Sequence, residues 1–206
     1  MHFEMEMGIN DLICPDQIAI NERFLFVIDI KCLKVFDSEN GVFVRKVGKQ
    51  WGPDNSQLDG VSIDDKFVYV MDSFRLRPRI NVYSQDTTLE FVRSMYINED
   101  MKFCAGKLRC GVNGLLYVVH KINNVICVYE KNTGKQVGTI DQVHTPKDIS
   151  CTEDGLLYVA EYDKNCVKVF CQYTHKYVRQ FGSEGTKGGQ FITPVSVCVD
   201  VYKGIV

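Results

Sequence analysis
The sequence predicts an all-β fold of the β-propeller class, built from four-stranded antiparallel blades, and three observations carry that expectation. The first is an internal repeat in which an apolar run ends in an acidic or polar residue and a second apolar run follows. It reads Phe26-Val27-Ile28-Asp29 then Lys34-Val35-Phe36, and Tyr69-Val70-Met71-Asp72 then Asn81-Val82-Tyr83. It recurs as Tyr117-Val118-Val119-His120 then Cys127-Val128-Tyr129, and as Tyr158-Val159-Ala160-Glu161 then Lys168-Val169-Phe170. The anchor positions 29, 72, 120 and 161 are 43, 48 and 41 residues apart, a period that in an all-strand sequence marks propeller blades and not a helical solenoid. The second observation is that runs such as Phe67-Val68-Tyr69-Val70 and Leu115-Leu116-Tyr117-Val118-Val119 are apolar on both faces, as a sheet sandwiched between neighbouring sheets requires. The third is that no apolar stripe of helical period persists over several turns, so no substantial helix is expected.

Each blade can be written as four strands in the same order. The first has strands at 17–21, 24–29, 32–37 and 42–47, with Asp37-Ser38-Glu39-Asn40-Gly41 as the turn between the last two. The second uses 58–64, 66–72, 79–84 and 90–96, and the third 107–112, 115–120, 125–131 and 136–141. The fourth uses 147–153, 156–162, 166–171 and 176–182, and a fifth begins at 195–200. With their connections the blades cover 15–57, 58–106, 107–146 and 147–194, followed by a partial blade at 195–206. Residues 1–14 are expected as the outer strand of a preceding blade or as an N-terminal extension. Fourth strands are mixed in polarity, and Arg45, Arg93 and Arg179 share one register on them, which suits an outer edge where charge discourages edge-to-edge pairing.

With 206 residues, 45% hydrophobic and 24% charged, the chain has ordinary globular composition and enough length for a sizeable core. A net charge of -2 supplies no global attraction to nucleic acid or to an anionic membrane. No stretch approaches the roughly 18 apolar residues that cross a bilayer, and the acidic start Met1-His2-Phe3-Glu4-Met5-Glu6 is unlike a secretory signal. The nine cysteines are odd in number and fall mostly inside expected strands, and no Asn-x-Ser/Thr sequon is present. Reduced thiols in the cytoplasm are therefore expected. Buried packing is the expected role of Cys110, Cys127, Cys151 and Cys198.

The fourth blade and its flanks read Thr145-Pro146, Asp154-Gly155-Leu156-Leu157-Tyr158-Val159-Ala160-Glu161, Asn165, Val167-Lys168-Val169-Phe170, Tyr177-Val178-Arg179-Gln180-Phe181-Gly182 and Gly188-Gly189-Gln190-Phe191-Ile192-Thr193-Pro194. This resembles the NHL repeat, in which a Pro-led strand, a Gly turn, an aromatic-Val-x-Asp strand, an Asn, an apolar-x-Val-Phe strand and a Phe-Gly precede a Gly-rich loop ending in Phe-x-x-Pro. Weaker versions cover nearly the whole chain. Asp29 and Asp72 keep the acidic anchor, whereas His120 and Glu161 depart from Asp. The resemblance implies a propeller, usually of six blades, that serves mainly as an interaction surface. Four complete blades with partial flanking strands fall short of six, so an incomplete or truncated ring is expected.

Several motifs bear on chemistry. The glycine-rich stretch 182–189 lacks the spacing of a phosphate-binding P-loop and leads into a strand, so it is expected to be an inter-blade loop. The anchors Asp29, Asp72, His120 and Glu161 would share one face, and each is expected to accept hydrogen bonds from the backbone of the following turn in preference to holding a metal. The resemblance also offers an enzymatic precedent, since amidating lyases of this fold hold zinc with histidines. His2, His120, His144 and His175 occupy unlike positions in their blades and assemble no ligand set. No Gly-x-Ser-x-Gly elbow and no Cys-x-x-Cys pair is present. No catalytic, metal or cofactor site is therefore expected.

The candidate binding residues are Trp51, Phe74, Arg75, Arg77, Arg79 and Tyr162. The three arginines occupy a long turn of the second blade, on the face that also carries Lys31, Lys121 and Lys164. Trp, Tyr and Arg dominate interface energetics, and loops on rigid folds carry function. The expected function is a non-catalytic NHL-type scaffold for protein-protein interaction. One alternative is the substrate- or RNA-recognition part of a tripartite-motif-like ubiquitin ligase, since proteins of that group bind RNA on this face. The other is a remnant of a six-bladed propeller hydrolase or lyase. A protein partner is expected ahead of RNA, which the net charge does not favour, and no membrane partner is expected.

Overall fold
The computed structural model describes residues 12–47, 58–73, 78–86, 88–98 and 105–199. Among them there is no helix, so none long and apolar enough to cross a membrane. Sixteen strands form four antiparallel four-stranded sheets, each a simple meander: the all-β, propeller-blade architecture. The chain divides into two compact units, residues 1–96 and 97–206, each holding two blades.

In the first unit one blade comprises β1 (Pro15–Ile20), β2 (Phe24–Asp29), β3 (Cys32–Asp37) and β4 (Phe43–Val47). The next comprises β5 (Leu58–Ile63), β6 (Phe67–Asp72), β7 (Arg79–Ser84) and β8 (Phe91–Tyr96). Phe26, Ile28, Leu33 and Val35 of the first blade pack against Val61, Val68, Val70 and Tyr83 of the second, forming one core between two sheet faces. Gln17 Oε1 accepts a hydrogen bond from Val61 N at 2.8 Å and ties the two innermost strands together.

In the second unit the blades are β9 (Ala105–Cys110), β10 (Leu115–His120), β11 (Val125–Glu130) and β12 (Gln136–Ile140), then β13 (Pro146–Cys151), β14 (Leu156–Glu161), β15 (Cys166–Cys171) and β16 (Tyr177–Phe181). Tyr117, Val119, Ile126 and Val128 pack against Ile149, Leu157, Val159 and Phe170. Buried Gln172 clamps this pair of blades. Its Oε1 accepts from Val112 N at 3.0 Å, and its Nε2 donates to the carbonyls of Thr152 and Leu156 at 3.0 and 2.7 Å. Its backbone carbonyl accepts from Asn113 Nδ2 and Tyr117 Oη.

Every blade carries two register irregularities at equivalent places. On the outer strand one extra residue opposes the third strand, and in all four blades it is a valine: Val44, Val92, Val137 and Val178. These valines are 43%, 43%, 45% and 47% exposed. A bulge bends an edge strand and spoils it as a template for pairing with another chain. In three blades the residue before the bulge is an aromatic that packs edge-on against the third strand, with centroids 5.7 Å apart for Phe36 and Phe43, 5.8 Å for Tyr83 and Phe91, and 6.1 Å for Phe170 and Tyr177; in the third blade it is Gln136. The second irregularity lies on the innermost strand, opposite the end of the second strand. It explains why β1 and β9 begin two residues earlier than the expected 17 and 107: an inserted residue interrupts the apolar alternation from which the strand start is read.

Candidate interaction face
The four anchor residues end the second strands β2, β6, β10 and β14, and all four are buried. Three are acids, and each has a cation on the neighbouring third strand. Lys34 Nζ pairs with Asp29, Arg79 Nη2 lies 3.0 Å from Asp72 Oδ2, and Lys168 Nζ lies 3.1 Å from Glu161 Oε1. The fourth anchor, His120, faces Val125 on its third strand, with Cys127 two residues on where Lys34 and Lys168 stand in their blades. The chain thus places a cation where it buries a carboxylate and an apolar partner where it buries an imidazole. A buried acid without such compensation would be costly.

Asp29 and Glu161 also take backbone donors, from a different place than the sequence suggested. Asp29 accepts from Ile13 N and Cys14 N, and Glu161 Oε1 accepts from His144 N at 3.0 Å. These donors precede the innermost strand of the same blade and do not belong to the following turn. The inner irregularity carries that entering segment over the end of the second strand, within reach of the carboxylate. His120 keeps the expected arrangement, with Asn123 N of the following turn 3.3 Å from its Nδ1. Burial alone would raise the Asp29 carboxyl, but Lys34 and the two N–H donors outweigh it and hold the group below the usual carboxylate range. Burial pushes the Cys32 thiol beside Asp29 up, and burial together with the Glu161 charge does the same to Cys166.

The turns rooted on these anchors present exposed side chains, among them Ile30 in the first unit and Lys121, Ile122, Asp163 and Lys164 in the second. Tyr162 is half-buried, its ring 4.9 Å from Lys147 Nζ and its N–H bonded to Thr145 O. Arg79 lies on β7, where its Nε and Nη2 both donate to Asp72, so this guanidinium builds the blade. Trp51, Phe74, Arg75 and Arg77 lie outside the described residues. Missed from sequence was a pair of clasps at the blade junctions. Asn124 Oδ1 accepts from Thr145 N at 3.1 Å, and Asn165 Oδ1 accepts from Thr193 N at 2.7 Å. All four residues have positive φ, between 43° and 53°, a conformation that asparagine tolerates and a β-branched threonine rarely adopts. The Asn-then-Thr-Pro recurrence was the available signal.

The glycine-rich loop closes on itself through Phe191 N to Ser183 O and Gly185 N to Phe191 O, and Lys187 N donates to Gln190 Oε1. These donors serve the loop's own fold. No disulfide joins the described cysteines. Cys127 is buried as expected, Cys110 and Cys151 are half-buried, and Cys198 is exposed, contrary to expectation. The segment holding Cys198 has a neighbouring blade on one face and no paired strand among the described residues, which leaves alternate side chains outward.

No protein-family model and no curated protein matches the chain. Solved structures do. One is a protein of unknown function from Bacteroides caccae, 12% identical with a TM-score of 0.65 over 81% of this chain and 60% of that one. Another is a glutaminyl cyclase from Myxococcus xanthus, 15% identical with a TM-score of 0.59 over 79% and 68%. A third is the computationally designed Ika8 protein, 11% identical with a TM-score of 0.60 over 90% and 52%. The chain spans 60% of the first of these structures, 68% of the second and 52% of the third. At such identities the likeness is one of fold, and the chain is an all-β protein of propeller blades.

Proposed function
We propose that the chain is a non-catalytic NHL-type scaffold that presents the turns following its second strands to another macromolecule, a protein ahead of RNA. The observation carrying this reading is the set of buried acid–cation pairs at the turn roots: Asp29 with Lys34, Asp72 with Arg79 and Glu161 with Lys168. The Glu161–Lys168 pair holds its turn from below and leaves Lys164 and the Tyr162 ring with Lys147 at the surface, while the turn after His120 exposes Ile122. Preorganised turns with an aromatic anchor are what a binding surface uses. Trp51, Phe74, Arg75 and Arg77, outside the described residues, remain proposed binding residues on their chemistry alone. Eight described cysteines without a disulfide suit a reducing compartment such as the cytoplasm.

The reading is tested by affinity capture from nuclease-treated extract with the chain and with Tyr162→Ala/Lys164→Glu. Proteins retained by the first and lost by the second, at unchanged melting temperature, are expected. Equal retention contradicts a role for this face, and retention seen only in a parallel capture from untreated extract shifts the partner to RNA. For the glutaminyl cyclase likeness, incubation with a peptide bearing N-terminal glutamine should release no ammonia; release would overturn the non-catalytic reading.

A further inference from the structure
Two described asparagines precede a glycine, Asn40 before Gly41 in the turn between β3 and β4, and Asn113 before Gly114 in the turn between β9 and β10. The glycines have φ of 70° and 80°, the left-handed region that a residue without Cβ enters freely. Both side-chain amides fold over the glycine in the same way. Asn40 Oδ1 accepts from Val42 N at 2.9 Å, and Asn113 Oδ1 accepts from Leu115 N at 3.3 Å. Such a turn draws the side-chain carbonyl carbon toward the intervening glycine nitrogen, and proximity of that kind is what an intramolecular attack needs.

The two sites differ at the nitrogen that would leave. Asn113 Nδ2 donates to Tyr117 Oη at 3.0 Å and to Gln172 O at 2.7 Å, and both partners belong to buried residues. Turning that amide onto Gly114 N breaks both bonds. Asn40 is exposed, and its Nδ2 has no partner among the described residues. The restraints that remain there are on the backbone: Gly41 N donates to Asp37 O at 3.0 Å, and Asp37 Oδ1 accepts from Glu39 N and Asn40 N. These are bonds of a surface turn, which water replaces at small cost when the turn opens locally.

We propose that Asn40 is a site of spontaneous deamidation and isoaspartate formation, and that the fold shields Asn113 from the same reaction. Gly41 N gives its proton to solvent and attacks Asn40 Cγ. The new C–N bond closes a succinimide ring as the Cγ–Nδ2 bond breaks, and the leaving nitrogen takes up a proton and departs as ammonia. Val42 N–H, already on Oδ1, offsets the charge that develops on that oxygen during the attack. Water, the one co-reactant, then opens the ring at either carbonyl and leaves aspartate or isoaspartate, with no change of oxidation state. The product sets a carboxylate beside Asp37 and Glu39, and the isoaspartyl form lengthens the main chain where β3 turns into β4. An isoaspartyl carboxylate is the substrate class of a methyl-transferring repair enzyme. The turn stands at the other end of β3 from Asp29, so failure here leaves the interaction reading untouched.

The test is peptide mapping by mass spectrometry on the whole chain after prolonged incubation in warm neutral buffer, both folded and in urea. Isoaspartate in each peptide is counted with a carboxyl methyltransferase and a labelled methyl donor. In the folded chain the acid form should accumulate at Asn40 at least about tenfold faster than at Asn113. In urea, where the local Asn-Gly sequence alone acts, the two rates should draw together. Asn40→Gln should leave its peptide without label. No conversion at Asn40, equal conversion at Asn113 in the folded chain, or a ratio that urea leaves unchanged overturns the proposal.

Discussion

Asp29 and Glu161 are buried carboxylates that each combine a lysine from the next strand with N–H donors from the entering segment. Removing the cation alone leaves the charge stranded, which costs about 3–5 kcal/mol in such settings. Lys34→Met should therefore lower the urea midpoint markedly, and Asp29→Asn/Lys34→Met should recover much of the loss, because the neutral amide leaves no stranded charge. A double variant no more stable than the single would refute the compensation argument. The lowered Asp29 carboxyl has a definite sign with pH. Its contribution is complete above the ordinary value of 3.8 and fades as pH falls through the lower folded-state value. His175 acts higher on the scale. Burial beside Tyr117 and Gly138 pushes its imidazole below the ordinary 6.5. The fold then favours the neutral ring, and stability should fall as pH drops below that ordinary value. Melting curves from pH 7.5 to 5 for the chain and for His175→Gln should diverge on the acid side; parallel curves would contradict it.

At the scale of elements, strand order was legible because aromatic and β-branched runs recur with punctuating turns, and the sixteen strands expected in the four complete blades form, whereas the described part of the further one expected at 195–200 is not a strand. The irregularities were not legible. Val44 and Val178 read as ordinary strand residues, and a single unpaired residue in an edge strand leaves no mark on composition. The partners of the anchors were hidden for another reason: His144 reaches Glu161 across 17 positions, a contact set by register and not by local pattern. The Asp72–Arg79 pair was readable in hindsight, since the two residues face each other across the second hairpin. The bulge valines yield a direct prediction. Changing Val44, Val92, Val137 and Val178 together to lysine should move the melting temperature little, since surface positions shift stability within about 0.5 kcal/mol each, while raising the temperature at which light scattering begins. Gln172 should behave in the opposite way. Gln172→Ala strips partners from Val112 N and from the carbonyls of Thr152 and Leu156, and about 3 kcal/mol should be lost on chemical denaturation. A loss below 1 kcal/mol would show that water replaces the amide.

Across the whole molecule one construction repeats: an apolar meander, a buried anchor with its counter-group, an inner irregularity and a bulged outer strand. Function was less legible than fold because the blade pattern is used for shielding sheet faces, and what a propeller binds is decided by turns that the pattern leaves open. The central claim is that all four blades exist as cooperative sheets with their middle strands innermost in stability. Amide exchange of the full chain tests it most directly. The account predicts slowest exchange in β2, β3, β6, β7, β10, β11, β14 and β15, with β4, β8, β12 and β16 faster. Any blade whose middle strands exchange at the rate of an unfolded chain, or whose outer strand outlasts them, would contradict it.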